Sequence, residues 1–405
     1  MIGERNGRAK AGPYRDRRPA EAGAGRYRCP ACEEGFSPSQ RTDPLQRVRG
    51  GGVGLEFWLD YFVKDHYRAR RPPERICMNK KERVDAAVRG DKVDRVPVSI
   101  WGHDYVHEWD MPSLMDAMVK DFTENDWDFL KVNPRTTYFA EAWKARYRPS
   151  GEKYISPIFE DTPIRSSSDW KRIRQLEPNR GPFVEQLRLM QLLNHQVGYD
   201  AYFVQTIFCP LGVARYLVGN NPGPVLDSMC EDRGALHSAL RVITETLINY
   251  AIACMEEGAS GIFYATNAWA REGVLTQDQY HEFGEQYDLE FLDAIKSRSK
   301  LTILHNCGEH IYFDSLATYP VQVINWDAFA PGNPDLQEGK LRSGKAVMGG
   351  LNRKTLKSGS SNQIREEVAQ VLELTGERSL LLAPGCTVSP EAPMRNIGAV
   401  RRVLS

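Results

Sequence analysis

Three residues at the ends of two predicted strands have the types and spacing of a metal site. The strand-like run Leu301–Cys307 carries His305 and Cys307 near its end. Because side chains on a strand alternate between two faces, these two residues point the same way. Cys386 ends a second run of this kind. A lone cysteine at a strand end is ordinarily a core residue, but one imidazole and two thiols form a three-ligand set with an open fourth position, which is typical of catalytic zinc.

The elements that would position these ligands alternate between strands and amphipathic helices. Short β-branched or aromatic runs separated by helical stretches are the pattern of a parallel sheet built from βα units. The eight strand candidates are Arg95–Trp101, Phe129–Asn133, Ala201–Phe208, Gly261–Thr266, Leu301–Cys307, Gln322–Asp327, Ala346–Asn352 and Leu380–Cys386. We therefore predict an α/β fold, a (β/α)₈ TIM barrel. A doubly wound sheet is disfavoured because no Gly-rich turn follows the first strand.

One connection is longer than barrels usually have. Residues Pro134–Asp200, after the second strand, form an insertion. Within it, Lys144–Phe159 has the pattern of a hairpin turning at Pro149–Gly151, and Gly181–Gly198 has that of a helix. We expect this insertion to cover the mouth of the barrel.

The charge of the chain divides it into two pieces. The 405 residues carry 53 basic and 53 acidic side chains, but residues 1–77 hold 16 basic and 10 acidic ones, which leaves 37 and 43 for residues 78–405. The first piece has little apolar sequence, so we expect it to be largely disordered. Met78 precedes a predicted helix and resembles a natural start, so a non-native extension is the alternative. The second piece, 78–405, is the predicted barrel, and its net negative charge argues against nucleic-acid binding.

Other polar and aromatic residues fall at the predicted strand ends, where barrel enzymes keep their active sites. We predict catalytic roles for Asp327, which would orient His305 or bind substrate, and for His103. The predicted cofactor-binding residues are Trp101, Asn133, Asn352 and Tyr264. For each there is a structural alternative: a helix cap for Asp327, a loop hydrogen bond for the asparagines and simple packing for Tyr264.

Several segments of the second piece resemble the uroporphyrinogen decarboxylase family, which also holds the corrinoid-dependent methyltransferases. They are Glu82–Gly90, Asp94–Pro97, Gly258–Phe263, His305–Gly308 and Met348–Asn352. The likeness covers about residues 78–405 and excludes the basic N-terminal piece. It implies a (β/α)₈ barrel, in agreement with the strand count.

The motifs resemble the methyltransferase branch more than the decarboxylases. The decarboxylases carry arginines after the first strand and an aspartate at the end of the second, whereas this chain has no arginine in Ser99–Tyr105 and has Asn133 in place of the acid. An amide cannot supply the negative charge that stabilises a protonated pyrrole. By contrast, His305, Cys307 and Cys386 match the zinc motif of the methylcobamide:thiol methyltransferases, which implies that they are the zinc ligands.

The resemblance implies zinc-dependent methyl transfer between a methylated corrinoid and a small thiol or folate-type acceptor. The alternatives are decarboxylation of a tetrapyrrole or another acid, and a barrel that binds a corrinoid or tetrapyrrole without turnover. The expected partners are a small-molecule substrate and a corrinoid that is either free or bound to a separate carrier protein, and a homodimer stays open. The sequence shows neither a membrane-spanning apolar run nor the apolar core of a secretory signal, so we expect a cytoplasmic protein without membrane partners.

Overall fold

The computed structural model describes residues 77–404. The predicted disordered or non-native piece, residues 1–77, lies outside this part apart from Cys77. The strands are β1 (Phe129–Lys131), β2 (Arg146–Arg148), β3 (Ile158–Asp161), β4 (Tyr202–Phe208), β5 (Gly261–Asn267), β6 (Leu301–Asn306), β7 (Val323–Asn325), β8 (Ala346–Leu351) and β9 (Leu380–Pro384). The α-helices are α1 (Lys80–Arg89), α2 (Met111–Glu124), α3 (Tyr138–Ala142), α4 (Pro182–Gln196), α5 (Pro210–Leu217), α6 (Gly223–Glu231), α7 (Arg233–Glu256), α8 (Gln277–Tyr280), α9 (Gln286–Ile295), α10 (Phe313–Ala317), α11 (Leu336–Ser343), α12 (Arg353–Ser358), α13 (Ser361–Thr375) and α14 (Met394–Val403). None of these described helices has both the length and the apolar composition needed to cross a bilayer.

A curled parallel sheet forms the centre of the α/β fold. Its seven strands run in the order β1-β4-β5-β6-β7-β8-β9, and each pair of neighbours is parallel. Seven of the eight predicted strands are therefore present. Helices separate most of these strands along the chain, as parallel pairing requires a crossover between neighbours. The longest, α7, buries an apolar stripe that includes Leu236, Leu240, Ile243 and Leu247.

The first predicted strand, Arg95–Trp101, is replaced by an irregular segment that still pairs at its centre. Val98 bridges Leu382 of β9 in parallel, and Leu382 N donates to Pro97 O over 2.8 Å. On the other side, Asp128 N, just before β1, donates to Val98 O over 2.9 Å. Val98 N itself donates to the Asp128 carboxylate instead of a strand carbonyl. A side chain thus takes the place of one backbone partner, which is why a regular strand does not form.

A buried network of ion pairs holds the segment around Val98 in place. The carboxylate of Asp128 is fully buried and accepts from Arg83 Nη1 over 2.7 Å and from Arg95 Nη2 over 2.9 Å. Arg83 on α1 also donates to Asp94 over 2.7 Å. Helix α1, the segment around Val98 and the start of β1 are therefore held by one set of charges.

The insertion after β1 contains the elements predicted for it. Strands β2 and β3 form an antiparallel hairpin, and α4 covers most of Gly181–Gly198. A 3₁₀ segment, Ser167–Arg172, lies between them. The fully buried rings of Tyr138 and Phe139 at the start of the insertion pack on each other, with ring centroids 3.9 Å apart.

Candidate metal centre

The predicted ligands lie in a cavity of about 150 Å³ that opens at the carboxyl ends of the parallel strands. Side chains of β1, β5 and β6 reach it because alternate residues near a strand end face the same side of the sheet. Its lining includes Trp101, His103, Lys131, Asn133, Arg135, Tyr216, Phe263, Asn267, His305, Cys307 and Cys386. This is the position in which barrel enzymes place their active sites.

His305, Cys307 and Cys386 converge at one wall of this cavity. Their ligand atoms all lie within 4.8 Å of one another. His305 Nε2 is 2.9 Å from Cys307 Sγ, and the two sulfurs are 3.4 Å apart. With metal bonds of about 2.0–2.3 Å, ligand atoms around one zinc ion lie about 3–4 Å from each other. These spacings are compatible with a single ion bound by all three side chains.

Gly385 allows the third ligand to come this close. A Cβ atom at position 385 would lie 2.4 Å from Asp327 Cα and 2.8 Å from Trp326 O. Only glycine lets the chain after β9 pass the chain after β7 at this distance. Cys386, the next residue, is thereby directed towards Cys307.

The orientation of His305 is fixed by Asn325. The two residues are direct partners in the register of β6 and β7, and His305 Nδ1 lies 2.6 Å from Asn325 Oδ1. Asn325 Nδ2 donates to Met348 O over 2.8 Å and to Pro384 O over 3.2 Å. Because the amide nitrogen donates to these two carbonyls, its oxygen must face His305 and accept from Nδ1–H. The lone pair of Nε2 is therefore directed towards the cysteines, as a metal ligand requires.

The charges around the cysteines favour one thiolate in the pair. The hydrogen bond from Cys307 lowers the pKa of the Cys386 thiol well below its usual value, with help from His305 and Arg353. The same hydrogen bond, together with burial, raises the pKa of Cys307. The pair thus releases its first proton readily, as thiolate ligation of a metal requires.

Replacing Asn325 by leucine is expected to weaken zinc binding roughly 10- to 100-fold, because His305 loses the group that fixes its ring. It should also cost about 2 kcal/mol or more of unfolding free energy, since buried polar groups lose their partners. Chelator competition and denaturant unfolding measure the two effects.

Asn325→Asp is the matched control for this prediction. It keeps an acceptor for His305 Nδ1 and removes the donors to Met348 O and Pro384 O. It should retain zinc affinity while losing stability. Equal zinc affinity in Asn325→Leu and the wild type would contradict the orienting role.

The structure assigns to Asn325 the contact with His305 that was predicted for Asp327. Strand β7 ends at Asn325, two residues earlier than expected, and the chain then turns. Asp327 therefore leaves the face of the strand that it would share with Asn325. Its carboxylate accepts from Phe329 N and from Arg353, the latter over 3.1 Å. The orienting contact to His305 belongs to Asn325, and Asp327 holds an arginine whose charge reaches the cysteines.

Three other predicted residues line the cavity, and two of them, His103 and Asn133, are joined by hydrogen bonds. Asn133 Nδ2 donates to Gly102 O over 2.8 Å and lies 3.1 Å from His103 Nδ1. Its Oδ1 accepts from Lys131 Nζ. Trp101 packs edge-on against Phe263, with ring centroids 5.6 Å apart. Trp101, His103 and Asn133 thus line the same cavity as the cysteines.

Two predicted cofactor-binding residues lie elsewhere. Tyr264 faces the other side of β5 from Phe263 and Ala265, which line the cavity, and donates to the buried Asp288 over 2.7 Å. Asn352 caps α12 by accepting from Lys354 N over 3.0 Å. Neither lines the cavity, and both contacts are structural.

Sequence reasoning missed three residues around the centre: Lys131, Asn325 and Arg353. Lys131 lies two residues before Asn133 and so faces the same side of β1, a signal that strand alternation provides. Asn325 likewise lies two residues before Asp327, so strand alternation predicts that both face the same side of β7. Arg353 follows β8 and carries no local signal of its role.

The chain belongs to the uroporphyrinogen decarboxylase family, whose model matches residues 138–404. A uroporphyrinogen decarboxylase from Synechococcus is 25% identical over 253 residues, which cover 60% of this chain and 70% of that protein. The methylcobamide:CoM methyltransferase MtaA of Methanosarcina barkeri is 25% identical over 351 residues, covering 79% of this chain and 96% of that protein. The solved structure of a methyltransferase from Methanosarcina mazei superposes with a TM-score of 0.67 at 21% identity, covering 81% of this chain and 98% of that chain. That structural likeness supports the fold.

Proposed function

We propose that this protein is a zinc-dependent methyltransferase that moves a methyl group between a methylated corrinoid and a small thiol. The observation that carries the proposal is the convergence of His305, Cys307 and Cys386 with the imidazole held in the ligating tautomer. Among the described residues, this cluster offers three ligands, so a fourth position is open to a substrate. The near full-length match to the relative named as a methylcobamide:CoM methyltransferase agrees with this reading.

Each residue of the site has a separate role in the proposed reaction. His305, Cys307 and Cys386 hold the zinc ion, Asn325 orients the imidazole, and Trp101 lines the cavity beside them. Zinc, when bound, lowers the pKa of a thiol in the open position and keeps its sulfur nucleophilic. The cavity of about 150 Å³ is smaller than the pockets of roughly 300–1,000 Å³ that hold drug-sized ligands, which favours a small thiol over a folate-type acceptor beside the metal.

We also infer that the barrel around the site is closed and that the methyl donor binds in a neighbouring cavity. The pairing of the segment around Val98 with both β9 and the start of β1 supports a closed (β/α)₈ barrel. A second cavity, of about 920 Å³, shares Trp101, His103, Lys131 and Asn133 with the first and gives room for the bulky methyl donor. The donor is a free corrinoid or one carried by a separate protein, and the reaction takes place in the cytoplasm.

Metal analysis and a methyl-transfer assay test this proposal together. The purified protein should contain about one zinc per chain. It should also convert methylcobalamin to demethylated cobalamin in the presence of a small thiol such as 2-mercaptoethanol, with stoichiometric formation of the methyl thioether. Metal-free protein that decarboxylates uroporphyrinogen would overturn the proposal in favour of the decarboxylase alternative. Bound zinc without methyl transfer to any thiol or folate would favour the binding protein.

A further inference from the structure

Lys131 places a buried amine in the cavity without an acidic partner. The residue is 4% exposed at the end of β1, and Asn133 Oδ1 is its hydrogen-bond acceptor among the described residues. Its Nζ lies 4.7 Å from the centroid of the Phe263 ring and 5.8 Å from that of Trp101. Within the part of the chain that the structure describes, no carboxylate forms an ion pair with it. A buried ammonium without a carboxylate is costly, so this position calls for a functional reason.

Most other titratable groups of the cavity are engaged in other interactions or do not ionise readily. His305, Cys307 and Cys386 form the ligand set. Arg135 is a permanent cation paired with Glu141 and Glu185. Burial raises the pKa of the Tyr138 and Tyr216 hydroxyls, so neither ionises readily. His103 and Lys131 remain as groups that could take up a proton.

The hydrogen bonds of Asn133 exclude His103 as the group that accepts a proton from the substrate. Because Asn133 Oδ1 accepts from Lys131, its nitrogen is the atom that faces His103 Nδ1 over 3.1 Å and donates to it. The lone pair of Nδ1 is therefore occupied, and the neutral ring carries its hydrogen on Nε2. Burial and the charge of Lys131 lower the pKa of His103 to about 4, which also makes it a weak base.

We propose that Lys131 is the general base that takes the proton of the acceptor thiol during methyl transfer. The S–H bond breaks and its electron pair stays on sulfur, while the proton forms a new N–H bond at Nζ and leaves the neutral amine as an ammonium. The sulfur then forms a bond to the methyl carbon as the cobalt–carbon bond breaks, and the cobalt keeps that electron pair. This inference rests on the proposed function.

The electrostatics of the site agree with this role. Burial lowers the pKa of Lys131 to about 7, while the thiolates of Cys386 and Cys307 act in the opposite direction. Cys386 and Cys307, after β9 and β6, are the titratable groups whose charge acts on its amine, and the amine in turn lowers the pKa of His103. A base with a pKa near neutrality is present in both forms at physiological pH, as efficient proton transfer requires.

The first test replaces Lys131 by methionine, which preserves the apolar stem and removes the amine. The expected result is a loss in kcat of about a hundredfold, within the usual range for a general base. Zinc content should stay at the wild-type value, and the thermal midpoint should not fall, because an unpaired buried charge has been removed. Lys296→Ala, at an exposed position, is the matched control and should keep wild-type activity.

The second test is chemical rescue of Lys131→Ala by methylamine and ethylamine. The restored rate should follow the concentration of the unprotonated amine, and the same amines should not accelerate the wild type. Full activity in Lys131→Met, or a loss in Lys131→Ala that no amine restores, would overturn the assignment to Lys131. A wild-type protein with no methyl transfer would instead overturn the proposed function, so the two failures are distinguishable.

Discussion

The Cys307→Ala protein is expected to be purified almost free of zinc and to transfer no measurable methyl group from methylcobalamin. Cys307 is the central member of the cluster, because its sulfur lies 2.9 Å from His305 Nε2 and 3.4 Å from Cys386 Sγ. Its loss leaves two ligands, which is fewer than catalytic zinc sites use. Removing a group that only orients a ligand already costs roughly 10- to 100-fold in affinity, so the loss should exceed about a hundredfold.

Zinc per chain, measured by elemental analysis after dialysis, and the rate of methylcobalamin demethylation are the two measurements. Cys254→Ala is the control, since this cysteine is buried on α7 and lies outside the cavity. It should lose some stability and keep its zinc. A Cys307→Ala protein that retains stoichiometric zinc and full transfer would show that the cluster is not the metal centre.

Asp128→Ala should be the most destabilising single substitution among the changes considered. The carboxylate is fully buried and accepts from Arg83, Arg95 and the backbone nitrogen of Val98. Removing one partner of a buried ion pair leaves uncompensated charge and costs about 3–5 kcal/mol. Methyl transfer should fall as well, because the segment around Val98 continues into Trp101 and His103 on the cavity wall.

Denaturant unfolding of the wild type and of Asp128→Ala measures this effect. Asp91→Ala is the control, because Asp91 forms an exposed ion pair with Arg89, and such pairs contribute about 0–1 kcal/mol. A change of less than about 1 kcal/mol in Asp128→Ala would mean that the network does not hold the segment, and it would weaken the inference of a closed barrel.

Local sequence pattern was sufficient for most of the strands and for the convergence of His305, Cys307 and Cys386. Seven of the eight predicted strands are present, because short apolar runs bounded by turn residues are typical of buried strands. His305 and Cys307 could be paired from alternation alone. Cys386 could be added because the ends of parallel strands meet at one edge of a sheet.

Tertiary structure decided which neighbouring residues support the ligands. Whether Asn325 or Asp327 faces His305 depends on where β7 ends. The strand ends at Asn325, so Asp327 lies beyond it and no longer follows the alternation of the strand. Tyr264 was misplaced because its side of β5 packs against α9, where its ring stacks on Phe291, and no local pattern predicts this contact.

The least predictable features depend on contacts between distant parts of the chain. The segment around Val98 lacks a regular strand because Asp128, 30 residues away, binds its backbone nitrogen. The role proposed for the Lys131 amine depends on its neighbours Asn133, His103 and the two cysteines. These residues come together only when the sheet curls. Hydrophobic periodicity is a local property of the sequence, whereas the register of neighbouring strands and the electrostatics of a buried site arise only from the assembled fold.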